Sequence, residues 1–227
     1  MSVVNIVHGS NAVHMFTDAG LFAADGSVTA LLHKAHPVPH LGAVFSSRGS
    51  YWFMQKIVTA ISHHFSTFDE MIAGVRALFV SQYERHAEAI AAADAGEFEL
   101  WICGWSSARA RPESYGISSR NLQLAVHGVE APAWALQQVG DMVLPRDGRF
   151  RQRLAAHPTN SIEELGIAIA ECQRQLRGFT PSGVEVTGIA GFIQATTVTS
   201  DGITTKILRR WPDQVGQFVS PSPEIFA

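Results

Sequence analysis

A layered α+β domain is the fold class this sequence predicts, on three observations. Short apolar segments rich in β-branched residues open and close the chain. Turn signals such as Asp25-Gly26 and Asp201-Gly202 join neighbouring segments as antiparallel hairpins. Helical periodicity comes in blocks instead of alternating with single strands, which argues against a doubly wound parallel sheet.

Taken in order, Val3 to Val7 reads as a strand ended by Gly9-Ser10-Asn11, and Ala12 to Thr17 as a second. Val28 to Leu32 forms a third, closed by Pro37 and Pro39, and Gly42 to Phe45 begins a fourth. Tyr51 to Phe65 then takes helical spacing through Trp52, Ile57, Val58 and Ile61. Thr67 and Glu70 make a capping box for a second helix, whose pattern extends through the alanine-rich stretch to Ala93. Phe98 to Ser106 is a strand, with weaker ones at Ser114 to Ser118 and Leu122 to His127, and Trp134 to Leu144 is ambiguous. Ser161 and Glu164 cap a helix that turns Ile162, Leu165, Ile169 and Cys172 inward. Strands at Gly188 to Thr199 and Ile203 to Trp211 complete a single domain over residues 1–227, with 212–227 an extended, exposed tail.

Composition narrows the functional classes. Of the 227 residues 46% are hydrophobic and 16% charged, which suits one sizeable core. The formal charge of −3 gives no overall attraction to nucleic acid or anionic lipid. No run is long enough to span a membrane, and the start Met1-Ser2-Val3 lacks the form of a signal peptide, so the expected location is the cytoplasm. Cys103 and Cys172 are far apart and read as buried thiols. His33, His36 and His40 have ligand-like spacing, but Pro37 and Pro39 prevent the helical face that would gather them, so no metal or other cofactor is expected. His63-His64 reads as a helix end, where imidazole suits the dipole. Arg109, Arg111 and Arg120 could make a local basic patch, yet no interleaved aromatics support a nucleic-acid surface.

The chemistry-bearing residues lie at the front. Asp18 closes the apolar run Val13-His14-Met15-Phe16-Thr17-Asp18, and Lys34, one of three lysines, sits between two strands. The second of these leads through Ser47-Arg48-Gly49-Ser50 into a helix. Asp18 follows Ser2 by sixteen residues and Lys34 follows it by thirty-two. In these residues and in its element order the chain resembles the catalytic β-type subunits of the proteasome and of the simpler bacterial ATP-dependent peptidase. Those N-terminal-nucleophile hydrolases carry their nucleophilic Thr, Asp and Lys at the same intervals. The resemblance is tightest over residues 2–65 and looser to about residue 211.

The resemblance implies a four-layer αββα sandwich, two antiparallel sheets face to face with helices outside. It implies Ser2 as nucleophile once Met1 is removed, with its α-amino group as base. Lys34 would tune that amine, Asp18 would anchor Lys34, and backbone N–H groups near Arg48-Gly49 would stabilise an oxyanion. The substrate would be a peptide or other amide, and subunits would assemble into a homo-oligomeric ring, with a separate ATPase as a candidate partner. Two alternatives stay open: a non-catalytic ring-forming structural subunit of the same fold, and a small-molecule amidase. Singly, Asp18 could cap the turn at Ala19-Gly20 and Lys34 could face solvent on an edge strand. The chain also departs from the family pattern. Ser2 replaces Thr, Arg48 stands where a glycine is expected unless Gly49 is the match, and the later supporting Asp and Ser have only Asp141 and Ser182 in roughly the right regions.

Overall fold

The computed structural model describes residues 3–92, 97–124, 129–143, 148–179 and 183–220. The chain opens with β1 (Val4–His8), β2 (Val13–Asp18), the hairpin β3 (Gly20–Phe22) and β4 (Val28–Leu31), then β5 (His36–Val38) and β6 (Ala43–Arg48). Three helices follow, α1 (Tyr51–His64), α2 (Phe68–Arg85) and α3 (Ala87–Ala92). Next come β7 (Glu99–Ser106), β8 (Arg111–Ser118), β9 (Leu122–Leu124), β10 (Val129–Ala131) and β11 (Gln137–Val139). Helices α4 (Gly148–Ala155) and α5 (Ile162–Arg174) precede short β12 (Gly178–Phe179) and β13 (Glu185–Val186), and β14 (Phe192–Thr199) and β15 (Gly202–Arg210) form the last hairpin.

The result is a mixed α+β architecture with antiparallel sheets. One sheet has the order β1-β2-β14-β15, the other β11-β8-β7-β6-β5. In the first, β2 pairs with β1 on one side and with β14 on the other, aligning Thr17 with Gln194 and Asp18 with Ile193.

Strand alternation sets three large clusters of the core, beside a small fourth one of Val28, Ala190 and Val219. Phe45, Leu100 and Ile102 meet Phe53, Ile57, Met71 and Val75 of α1 and α2. On the four-stranded sheet, Phe16 and Ile193 meet Ile169 and Cys172 of α5. The opposite strand faces meet each other, with Val4, Ile6, Val13, Met15 and Val198 against Val44, Trp101 and Cys103. Gly166 lets α5 come down onto β2, since a Cβ there would stand 2.2 Å from the Phe16 ring.

The helix starts follow from their capping residues. Thr67 Oγ1 accepts the Glu70 N–H at 3.2 Å while Glu70 Oε2 accepts the Ser66 N–H at 2.9 Å. Ser161 Oγ likewise accepts the Glu164 N–H at 3.1 Å, and Glu164 Oε2 that of Asn160 at 2.6 Å. His63 and His64 occupy the last turn of α1.

Several expectations are corrected. The second helix ends at Arg85, because His86 leaves helical geometry (φ −112°, ψ 11°) and α3 restarts beyond it. Helix α4 was not anticipated, since Gly148-Arg-Phe-Arg-Gln-Arg-Leu-Ala is too charged to show a broad apolar stripe. The last hairpin's first strand starts at Phe192, four residues later than its apolar pattern suggests. Within the ambiguous stretch only Gln137–Val139 pairs as a strand among the described residues. Residues 125–127 of another expected strand lie outside the described residues. Of the expected exposed tail, residues 212–220 are described; most are exposed, but Gln217 O accepts the Val28 N–H at 2.9 Å, Val219 is buried, and Asp213 is held by Arg174. Among the described residues no helix is long and apolar enough to cross a membrane.

Candidate functional site

The end of β2, the lead-in to β1 and the segment before β5 converge on one carboxylate. Asp18 is fully buried, and its Oδ1 accepts the Lys34 Nζ–H at 2.8 Å and the Val3 N–H at 3.1 Å. Its Oδ2 accepts the Gly20 N–H at 3.0 Å and the Ala190 N–H at 3.4 Å. The expected role at the Ala19-Gly20 turn is therefore real, and it coexists with the ion pair. Lys34 is 4% exposed, so it does not face solvent from an edge strand.

Isolated charges are costly away from water, so a buried lysine needs a partner, and the partner needs its remaining lone pairs satisfied. Asp18 meets that condition through three backbone donors from three separate segments. The arrangement fixes a positive charge beside the start of β1. Ser2 itself lies outside the described residues, one peptide bond before the Val3 amide that binds Asp18.

Gly49 follows β6 directly and precedes Ser50, whose Oγ caps α1 by accepting the Phe53 N–H at 3.2 Å. Its φ of +108° belongs to glycine, and a Cβ would stand 2.4 Å from Glu97 O. One residue past Ser50, Tyr51 Oη donates to the carbonyl of His33 at 3.5 Å, which lays the start of α1 beside the residue preceding Lys34. The structure thus brings Asp18 and Lys34 into contact and sets Gly49 on the adjoining segment. The side on which Gly49 would carry a side chain is filled by Glu97 and Phe98.

Polar residues between the sheets escaped the sequence reading. Thr17 and Gln194 continue the inward face that Val13 and Met15 form on β2 and Val198 on β14, as Ser46 and Arg48 continue that of Val44 on β6. Gln194 bonds the His33 ring through Oε1 and donates to Thr196 Oγ1 at 3.0 Å. Glu99 Oε2 accepts from Trp101 Nε1 at 3.2 Å and from Arg48 at 3.4 Å. Burial draws the Arg48 guanidinium below its ordinary value, with Glu99 opposing. Thr17 Oγ1, Ser46 Oγ and Arg48 Nε are buried without a hydrogen-bond partner among the described residues. Interiors leave few such atoms, which marks this end of the inter-sheet space as chemically unusual. Apolar alternation on the same strands was the available signal.

The remaining candidates resolve elsewhere. Asp141 accepts the His8 N–H at 2.7 Å, at the far end of β1 and roughly 16 Å along the strand from Val3. Ser182 lies outside the described residues. Arg109 and Arg111 pair with Glu113, and Arg120 with Glu97 and Glu99, so these cations are not an open patch. His33 is engaged by Gln194, whereas the His36 ring packs against Tyr51 and burial pushes it below its usual value. Cys103 and Cys172 are unpaired and buried, and burial raises both thiols. Comparison with protein-family models and with curated protein sequences finds no match in either.

Proposed function

We propose that the chain is an N-terminal-nucleophile hydrolase with a four-layer αββα arrangement, cleaving peptide or other amide bonds through an ester on Ser2. One observation carries the reading: the buried Lys34–Asp18 ion pair, at 2.8 Å, whose carboxylate also holds the amide of Val3. A fixed ammonium beside the chain start disfavours protonation of a free Ser2 amine, keeping it available as a base. Support for the layers comes from the two apolar sheet faces that meet in one cluster while helices cover each outer face.

In the reaction, Ser2 Oγ attacks the amide carbonyl carbon as its proton passes to the α-amino group. The tetrahedral intermediate collapses, the amine product leaves with that proton, and the acyl group stays on Oγ. Water, deprotonated by the same amine, then attacks the ester carbonyl; the bond between the acyl carbon and Oγ breaks, the carboxylic acid leaves, and Oγ recovers the proton from the amine. Backbone N–H groups near Arg48-Gly49 stabilise both oxyanions. A homo-oligomeric ring and a separate ATPase belong to the proposal through the resemblance alone.

The test is intact mass before and after an epoxyketone, which bridges the hydroxyl and amine of an N-terminal residue. Loss of Met1 with a stoichiometric adduct, absent in Lys34→Ala, is the expected result. A retained Met1 with no adduct overturns the catalytic reading and leaves the non-catalytic structural subunit.

A further inference from the structure

The carboxylate of Asp18 is held partly by a loop that is itself clamped from a distance. Ala190, between β13 and β14, donates its N–H to Asp18 Oδ2 at 3.4 Å and accepts that of Ala19 at 3.0 Å. The residues on either side of Ala190 are fastened by one buried ion pair. Arg174, at the end of α5, donates to Ile189 O at 2.7 Å and to Asp213 Oδ2 at 2.8 Å. Asp213 Oδ2 also accepts the Gly191 N–H at 2.8 Å. Both side chains are almost fully buried, at 4% and 5% exposure, and the Arg174 guanidinium lies 4.7 Å from the centre of the Trp211 ring. The Trp211 backbone N–H in turn donates to Gly191 O at 2.8 Å.

We infer that Asp213 is a positioning residue for the candidate active site: with Arg174 it sets the 189–191 loop, through which the Ala190 amide fixes Asp18 and hence Lys34. The inference rests on the proposed function for its consequence in rate. A helix end, the segment after the last strand and the loop before β14 contribute to the clamp, and none of these is needed to form the sheet ladder around β2. A bidentate arginine–carboxylate pair is geometrically demanding, so it suits the fixing of a loop more than general stabilisation. The backbone donors hold the carboxylate that Lys34 binds, and a misplacement of about 1 Å is the scale on which catalytic geometry is felt.

The test uses the full-length protein with lysine labelled by nitrogen-15. Three lysines, Lys34, Lys56 and Lys206, give at most three ammonium signals. Lys34 is the buried one, at 4% exposure, so its signal is the slowly exchanging one. Asp213→Asn is expected to melt cooperatively, yet to shift the Lys34 signal, speed its exchange, and slow epoxyketone labelling about tenfold or more with unchanged inhibitor affinity. If that variant fails to fold, Arg174→Gln with Asp213→Asn removes both buried charges together and is read in its place. Wild-type labelling and an unmoved Lys34 signal in a folded variant overturn the inference. Should the wild-type protein not label, the proposed function falls and the Lys34 signal alone decides the positioning role.

Discussion

Replacing Lys34 with methionine keeps most of the side-chain volume and deletes the ammonium that faces Asp18. The carboxylate left behind has no access to water, since Asp18 is 0% exposed. Removing one partner of a buried ion pair costs about 3–5 kcal/mol, because the survivor is an uncompensated charge. Asp18 keeps the N–H groups of Val3, Gly20 and Ala190, which places the expected loss at the lower end, about 3 kcal/mol. For a domain of this size that corresponds to a melting temperature lower by roughly 6–12 °C. Urea unfolding followed by tryptophan fluorescence measures it. Adding Asp18→Asn should restore part of the loss, as no unpaired charge then remains. A loss under about 1 kcal/mol, the value for a solvent-exposed pair, would refute the burial argument and with it the electrostatic role proposed for Lys34.

Two further outcomes follow from geometry and charge. Gly49→Ala should destabilise by about 1–3 kcal/mol from its backbone conformation alone, with more from the contact a Cβ would make 2.4 Å from Glu97 O; an unchanged thermal midpoint would mean the turn is not held as described. Burial by itself would raise the Glu113 carboxyl, but hydrogen bonds from Arg109, Tyr115 and Arg111 outweigh it and hold the group at about 2 against an ordinary 4.5. A depressed folded-state value contributes stability that is present above pH 4.5 and lost as pH falls toward 2, on the order of 3 kcal/mol. Glu113→Gln should therefore flatten the acid limb of unfolding free energy against pH in that window, and an unaltered slope would count against the network.

What the sequence reveals here is what acts locally. The two capping boxes were legible because an N-cap residue and its partner stand three apart, and the hairpin turns because Asp-Gly dipeptides dictate backbone geometry. Asp18 and Lys34 were legible through resemblance to a spacing, and the structure adds their contact and burial. Long-range pairing was not legible. Asp213 follows a proline in a polar segment and looks solvated until Arg174, 39 residues earlier, is found against it. Thr17 and Ser46 look like ordinary polar strand ends, whereas both lie buried on strands covered on two faces. At the break before Ala87 the His86 ring packs against Phe53 and Trp52, a contact that no periodicity encodes.

The strand order has a consequence for how the molecule comes into being. The five-stranded sheet is assembled from residues 36–139, a continuous stretch, whereas the four-stranded sheet joins β1 and β2 to a hairpin that begins at Phe192. During synthesis the β1–β2 hairpin leaves the ribosome before its partner and must wait, with the edge of β2 bare, until β14 and β15 have emerged. Bare edges invite pairing with other chains, and such distant closures are slow. The Ala190 amide reaches Asp18 on the same late schedule, so the carboxylate receives its last donor only when the final strands dock. The order of birth thus keeps Asp18 one donor short until the β14–β15 hairpin is in place.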